Sequence, residues 1–319
     1  MAPKSFLLAC LLAFTVQIFF SPSVSSLASL LSISKESSSM KGLTKLGEGC
    51  VNHPEDVSVV VSKGALYTAT RDGWVKYFIL HNETLVNWKH IDSQSLLGLT
   101  TTKDGGVILC DNEKGLLKVT EEGVEAIVPD ASYGQLRKYD PKLKETTVLH
   151  EGFYFANGIA LSKNEDFVVV CESWKFRCRR YWLKGDRAGI LDAFIENLPG
   201  GPDNINLAPD GSFWIGLIKM NQTGVRAIQK CREKWELLDA YPGLISLLLP
   251  MGSDAGARVV KVDGNDGKII RDFNDPDATY ISFVTSATEF DGNLYLASLQ
   301  SNFIGILPLD GPEPQLATI

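Results

Sequence analysis

Asn204-Ile-Asn-Leu-Ala-Pro-Asp-Gly-Ser-Phe-Trp-Ile215 reads as a short apolar strand, a Pro-Asp-Gly turn and a second apolar strand. Asp-Gly supplies the backbone angles of a tight hairpin, and the flanking β-branched and aromatic residues suit strands. The unit recurs. It stands at Asp56-Val-Ser-Val to Gly64-Ala-Leu-Tyr-Thr-Ala, at Gly98-Leu-Thr-Thr-Thr-Lys-Asp-Gly-Gly-Val-Ile-Leu, at Gly158-Ile-Ala-Leu to Asp166-Phe-Val-Val-Val, and at Ser286-Ala-Thr-Glu-Phe-Asp-Gly-Asn-Leu-Tyr-Leu. Short strands repeating every ~40–50 residues are the pattern of an all-β propeller, whose blades stack around a central channel. Residues just before each innermost strand then ring the channel, which makes them the candidate functional positions.

The unit starts, Asp56, Gly98, Gly158, Asn204 and Ser286, are separated by steps of 42, 60, 46 and 82 residues. The step of 82 contains Met220–Asp254, where Val225, Ile228, Trp235 and Leu238 recur at helical intervals. This helical excursion joins the second strand of its blade to the third, so it is expected over the channel mouth, as a structural flap or a substrate-gating lid. The step of 60 is too long for one blade and too short for two. The inner strand pair of a blade is expected to be missing between Asp130-Ala-Ser132 and Tyr133.

The chain has 319 residues, 45% hydrophobic and 22% charged, the composition of a globular domain with a full core. A net charge of -7, with no basic stripe interleaved with aromatics, argues against nucleic acid as a partner. The N-terminus has Lys4 followed by an apolar run from Ser5 to Phe20 and small residues at Ser21–Ser26. This is the layout of a secretory signal peptide over 1–26, with a retained signal anchor as the alternative. Residues 27–49 read as a linker or N-terminal arm, and 50–319 as the propeller. Asn82-Glu-Thr and Asn221-Gln-Thr are glycosylation sequons in keeping with the secretory pathway. Five cysteines lie beyond the signal. Cys171 and Cys178 flank a hairpin turn as potential cross-strand neighbours, and most of the five read as buried small hydrophobes.

Glu55, Asn157, Asp203 and Asn204 stand before inner strands, at one phase of the repeat. Carboxylate and amide oxygens are hard ligands suited to calcium, and the absence of His or Cys from the set disfavours zinc or copper. The competing reading is that Asp and Asn merely cap turns.

From Gly47-Glu-Gly-Cys-Val-Asn-His-Pro-Glu-Asp-Val onward the chain resembles the plant strictosidine synthase-like proteins. The most specific stretch runs from Gly134-Gln-Leu-Arg-Lys-Tyr-Asp, through Phe155-Ala-Asn-Gly-Ile-Ala-Leu-Ser and Arg179-Arg-Tyr-Trp-Leu, to Pro199-Gly-Gly-Pro-Asp-Asn-Ile. That stretch is also similar to adipocyte plasma membrane-associated protein and, more distantly, to paraoxonases and gluconolactonases. The resemblance implies a six-bladed ring, one blade of it incomplete here, and places Glu55, Asn157, Asp203 and Asn204 at the family's calcium positions.

In strictosidine synthase a glutamate six residues before the last Asp-Gly turn drives the condensation of an amine with an aldehyde. The matching position here is Thr285, which cannot act as a carboxylate base. Glu289 is nearby but only two residues before the turn. The hydrolase branch implies Asp203 as both calcium ligand and proton acceptor, acting on an ester or lactone. The paraoxonase histidine corresponds to Leu97, so His53, close to Glu55 in sequence, is the candidate second base. An Asn-Asp pair that relatives carry in the incomplete blade is lost. Three readings follow: a calcium-dependent hydrolase of a small-molecule ester or lactone, an amine–aldehyde condensing lyase, or a non-catalytic propeller or inactive isoform. The family implies vacuole, endoplasmic reticulum or cell exterior as the destination.

Overall fold

The computed structural model describes residues 37–102, 104–128, 134–219 and 256–309. All but Ser37 belong to one compact unit, Ser38–Met220 with Met251–Ile319. Two short strands open it, β1 (Ser38–Ser39) and β2 (Thr44–Leu46). The first blade holds β3 (Val57–Val60), β4 (Ala65–Ala69), β5 (Trp74–Ile79) and β6 (Thr84–His90), and the second β7 (Leu96–Thr101), β8 (Val107–Asp111), β9 (Gly115–Val119) and β10 (Val124–Val128). Next comes a sheet of only two strands, β11 (Gln135–Asp140) and β12 (Glu145–Glu151). Four-stranded pairing resumes with β13 (Ala156–Leu161), β14 (Phe167–Glu172), β15 (Arg177–Trp182) and β16 (Leu191–Ile195). The fourth blade is β17 (Gly201–Leu207), β18 (Phe213–Ile218), β19 (Ala257–Val262) and β20 (Ile269–Asp275), and the last is β21 (Val284–Phe290), β22 (Asn293–Ser298) and β23 (Ile304–Pro308).

The protein is therefore an all-β propeller of five blades with an additional two-stranded sheet. Inner strands lie side by side in the order β7, β3, β21, β17, β13. Among the described residues no inner strand stands between β7 and β13, where the step of 60 residues falls.

The arm expected over 27–49 is corrected from Ser38 onward. β1 adds a parallel fifth strand to β20, and β2 completes the last blade against β23. Met40 and Leu46 are buried there, so hydrophobic anchoring overrides the Ser- and Lys-rich composition that suggested a linker. Segment 1–26, the helical excursion Met220–Asp254 and the sequon at Asn221 lie outside the described residues.

Blades are held apart and together by alternation. On the second blade Leu99, Val107, Leu109, Leu117 and Val119 face the first blade, packing with Tyr67, Val75 and Ile91. Cys171 and Cys178 sit opposite each other on β14 and β15 and form a disulfide inside the core shared with β17 and β18. Cys50 and Cys110 are free and exposed, against the expectation that most of the five cysteines are buried small hydrophobes. Cys110 alternates with the buried Leu109, so it occupies the face turned away from the first blade. Among the described residues no helix is long and apolar enough to cross a membrane.

Candidate functional site at the inner-strand starts

Four of the five inner strands carry a register irregularity near their beginning. It lies between Leu96 and Leu99 on β7, Ala156 and Ile159 on β13, Pro202 and Ile205 on β17, and Val284 and Ser286 on β21. A bulge frees residues from the ladder and re-aims their side chains. The residues so released include Asn157, Asp203, Asn204 and Thr285. Three of the four predicted ligands thus stand at bulges, and the fourth, Glu55, ends the loop leading into β3.

Glu55, Asp56, Asp203 and Asn204 are all buried. Asn204 Nδ2 donates to Glu55 Oε1 at 2.9 Å. Asn157 hydrogen-bonds Asp203 through its side chain, and its Nδ2 also donates to Ser173 Oγ at 3.2 Å. Ser173 Oγ in turn donates to Pro202 O at 2.6 Å, tying β13, β14 and β17 together at this end. Two glycines permit the close approach. A Cβ on Gly158 would stand 2.3 Å from Asp203 O, and one on Gly98 3.3 Å from Asn204 Oδ1.

Asp56 was not among the predicted ligands. Its Oδ2 accepts from Leu99 N at 2.9 Å, and its Oδ1 accepts from Val57 N at 2.8 Å and from Ser286 Oγ. It spans the first, second and last blades. Its position beside Glu55, before an inner strand, was the available signal.

Three buried carboxylates in mutual electrostatic reach shift one another's proton affinity. Burial holds Glu55 well above the usual carboxylate range, and the charges of Asp203 and Asp56 push it further, against the Asn204 hydrogen bond and the positive charge of Arg71. Asp203 is pushed up to about 7, chiefly by burial, with the Asn157 hydrogen bond opposing and Asp56 adding. Asp56 is raised by burial, although several hydrogen bonds hold it back. Glu55 Oε2 is buried with no hydrogen-bond partner. Such an orphaned carboxylate oxygen costs free energy that a cation or a proton would offset.

The residues present fit a hard divalent cation. Among the described residues no three His, Cys, Asp or Glu side chains are grouped to hold a metal by themselves. A cation here therefore needs the Asn157 and Asn204 amides to turn their oxygens toward it, in place of the nitrogens that now donate to Asp203 and Glu55, beside the carboxylates of Glu55 and Asp203. That mixture of charged and neutral oxygens is what calcium accepts.

His53 is not brought into this cluster. It is exposed, its backbone sits at φ 52°, and its N–H donates to Ser301 O at 3.1 Å. Among the described residues its ring makes no hydrogen bond to Glu55. Thr285 is fully buried, and its hydroxyl donates to Glu55 O at 2.5 Å. Glu289 Oε2 accepts from Trp214 Nε1 at 2.7 Å and pairs with Lys261 Nζ at 2.9 Å, an inter-blade tie away from the cluster.

Comparison with known proteins agrees with this architecture. The strictosidine synthase family model matches residues 99–186, and the strictosidine synthase-like N-terminal model matches residues 35–78. Protein strictosidine synthase-like 6 of Arabidopsis thaliana is 30% identical over 314 residues, 83% of this chain and 81% of that protein. Strictosidine synthase-like 4 of the same plant is 28% identical over 324 residues, 85% of this chain and 83% of its own. Adipocyte plasma membrane-associated protein of Gallus gallus is 34% identical over 214 residues, 65% of this chain and 50% of that protein. Among solved structures, a gluconolactonase from Xanthomonas campestris matches with a TM-score of 0.58 at 11% identity, covering 83% of this chain and 89% of its own. The calcium-binding protein regucalcin of Agrobacterium tumefaciens matches with a TM-score of 0.52 at 12% identity, covering 82% and 92%. At those identities the structures attest the propeller fold alone, whereas the Arabidopsis sequences identify kinship over most of both chains: the protein belongs to the strictosidine synthase-like family.

Proposed function

We propose that this protein is a calcium-dependent hydrolase of small-molecule esters or lactones, built on a six-blade plan in which the two-stranded sheet is the outer half of the sixth blade. The observation that carries the reading is Glu55 Oε2, buried with no hydrogen-bond partner, on a carboxylate that feels the charges of Asp203 and Asp56. Glu55, Asn157, Asp203 and Asn204 would hold the cation. When bound, calcium would polarise a substrate carbonyl and stabilise the oxyanion formed from it.

The chain's own residues supply the rest. Asp203, at about 7, is poised to accept a proton from water near neutral pH. Asn157 orients it, held in turn by Ser173 and the Pro202 carbonyl. The condensing-lyase alternative has no support at the residue that should carry it. The Thr285 hydroxyl is committed to the Glu55 carbonyl, and Glu289 to Trp214 and Lys261. His53 enters the proposal only as a base to be tested by mutation.

A gluconolactonase and a calcium-binding protein share the fold, in keeping with this reading. The secretory-pathway assignment rests on the N-terminal sequence, with Asn82 and Asn221 as glycan acceptors. Thermal unfolding with calcium and with chelator, run beside Asp203→Ala, tests the central reading. A midpoint raised by calcium in the parent and not in the variant is the expected result. A cooperative transition indifferent to calcium in both would overturn it. Turnover of aryl esters and lactones, abolished by chelator, tests the reaction class.

A further inference from the structure

Three aromatic residues stand in a row before β13, and only the first lies inside. Phe153 is buried with Leu136, Val168 and Val170, whereas Tyr154 and Phe155 are 40% and 46% exposed. Phe155 stacks on Trp174, with ring centroids 5.2 Å apart and planes within 14° of parallel. Lys175 Nζ lies 4.1 Å from the centre of the Tyr154 ring. Aromatic surface left in water forgoes the gain of burial, and clustered apolar exposure marks a place where something binds.

Phe155 is also held in a conformation that phenylalanine avoids. Its φ is 55°, in the left-handed region, where a bulky residue is an outlier. Main-chain bonds on either side enforce it. Phe153 N donates to Gly134 O at 3.1 Å, Tyr154 N to Glu172 Oε1 at 2.8 Å, and Ser173 N to Phe155 O at 3.2 Å. Glu172 is itself buried and paired with Arg177. The fold therefore maintains a strained backbone whose result is an exposed ring. Strain over-determined by its surroundings in this way is characteristic of ligand clamps.

The stack adjoins the candidate site. Phe155 lies two residues before Asn157, Trp174 directly follows Ser173, and Asn157 Nδ2 donates to Ser173 Oγ. Asn157 also bonds Asp203, the proposed proton acceptor. Polar side chains beside the rings are already engaged: Glu172 with Tyr154 N and Arg177, and Arg177 with Glu172 and Glu196. A sugar ring would call on such groups for its hydroxyls, whereas a planar apolar group needs only the aromatic faces.

We propose that Phe155 and Trp174 form a platform for an aromatic ring of the substrate, so that the preferred ester carries such a ring on its acyl or its alcohol side. The proposal rests on the hydrolase reading for the bond that is cleaved. Hydrolysis adds water to the acyl carbon and breaks its bond to the alcohol oxygen. That oxygen takes up the proton that Asp203 accepts from the water, leaving a carboxylic acid and an alcohol.

Phe155→Asn tests the platform. It removes the ring and suits a left-handed φ, so the variant should melt no lower than the parent. Binding of 2-phenylethanol, followed by saturation-transfer NMR, should be about tenfold weaker in the variant. Two ester pairs report turnover: 2-phenylethyl acetate against butyl acetate, and methyl 3-phenylpropanoate against methyl pentanoate. The kcat/KM preference for the aromatic member should fall by a similar factor in at least one pair. Ring-dependent binding of the alcohol with no turnover of any ester would uphold the platform and overturn the hydrolase reading. Turnover with the same preference in parent and variant would overturn the platform and leave the hydrolase reading standing. Equal binding of 2-phenylethanol by both proteins, or none by the parent, would also overturn the platform. A lowered melting midpoint in the variant would give Phe155 a packing role instead, and tighter binding of methyl glucoside than of 2-phenylethanol would make the surface a sugar site; either result overturns the proposal.

Discussion

Asn204 and Glu55 lie 149 residues apart in the chain and meet through a 2.9 Å hydrogen bond from Nδ2 to Oε1. The contact joins the fourth blade to the loop before the first, across the centre of the ring. It satisfies one oxygen of a buried carboxylate and leaves the other, Oε2, without a partner. In the metal-free protein that asymmetry is a source of instability.

Glu55→Gln removes one of the three clustered negative charges while preserving shape. In chelator the variant is expected to melt several degrees higher than the parent, because burial of mutually repelling carboxylates is relieved. In calcium the order should reverse. Scanning calorimetry in both buffers checks this; a variant less stable than the parent in chelator would show that the carboxylate is already compensated.

The pH dependence has a defined sign. Asp203 is raised to about 7 in the fold, above its value of about 3.8 when unfolded, so the native state holds a proton that the unfolded chain has released. Metal-free stability from this group is therefore greatest below about pH 4 and falls as pH rises toward 7. Calcium competes with that proton, so the stabilisation by calcium should grow over the same interval. Urea titrations at several pH values, with and without chelator, measure both trends.

Gly158→Ala is expected to destabilise the ring by about 3 kcal/mol, since the new Cβ would meet the main chain of β17 and not a side chain that can turn away. The displaced atoms belong to Asp203 and Ile205, so the calcium response should weaken together with stability. Denaturant midpoints and calcium titrations of the purified variant test the coupling.

Glu289→Ala separates a structural carboxylate from the candidate site. Lys261, nearly buried, loses one of two acidic partners, and Trp214 Nε1 loses its acceptor. A stability loss of about 1–3 kcal/mol is expected, with the calcium-induced shift and any ester turnover per folded molecule unchanged. Lost turnover at full folding would reopen the condensing-lyase reading.

Asn82 is exposed in the turn between β5 and β6, where its Oδ1 accepts from Thr84 N at 3.1 Å. A glycan at that turn would clear the ring. Expression in a secretory host should give an endoglycosidase-sensitive shift that Asn82→Gln reduces by one step; an unshifted band would argue against passage through the secretory pathway.

Much of this residue cluster is legible in the sequence. Glu55, Asn157, Asp203 and Asn204 shared a phase of the repeat, and the structure brings Asp203 beside Asn157 and Asn204 beside Glu55. Asp56 escaped notice because an aspartate before a strand resembles a turn cap, and its three-blade role depends on Leu99 and Ser286, distant in sequence. His53 was drawn in by closeness to Glu55 along the chain, yet a positive φ and exposure separate the two side chains.

The chain by itself determined the propeller class, because alternation and Asp-Gly turns are local properties, and a break in their spacing falls where the sheet of only two strands stands. It also determined which oxygen-bearing residues precede the inner strands. Tertiary structure decided where those residues point, through bulges on β13, β17 and β21 that no local pattern announced. It also decided that Ser38–Leu46 joins the ring, and that Ile159 and Leu161 on β13 stay exposed. Burial, proton affinity and strand closure arise from packing between blades remote in sequence, and that is why only the assembled fold could set them.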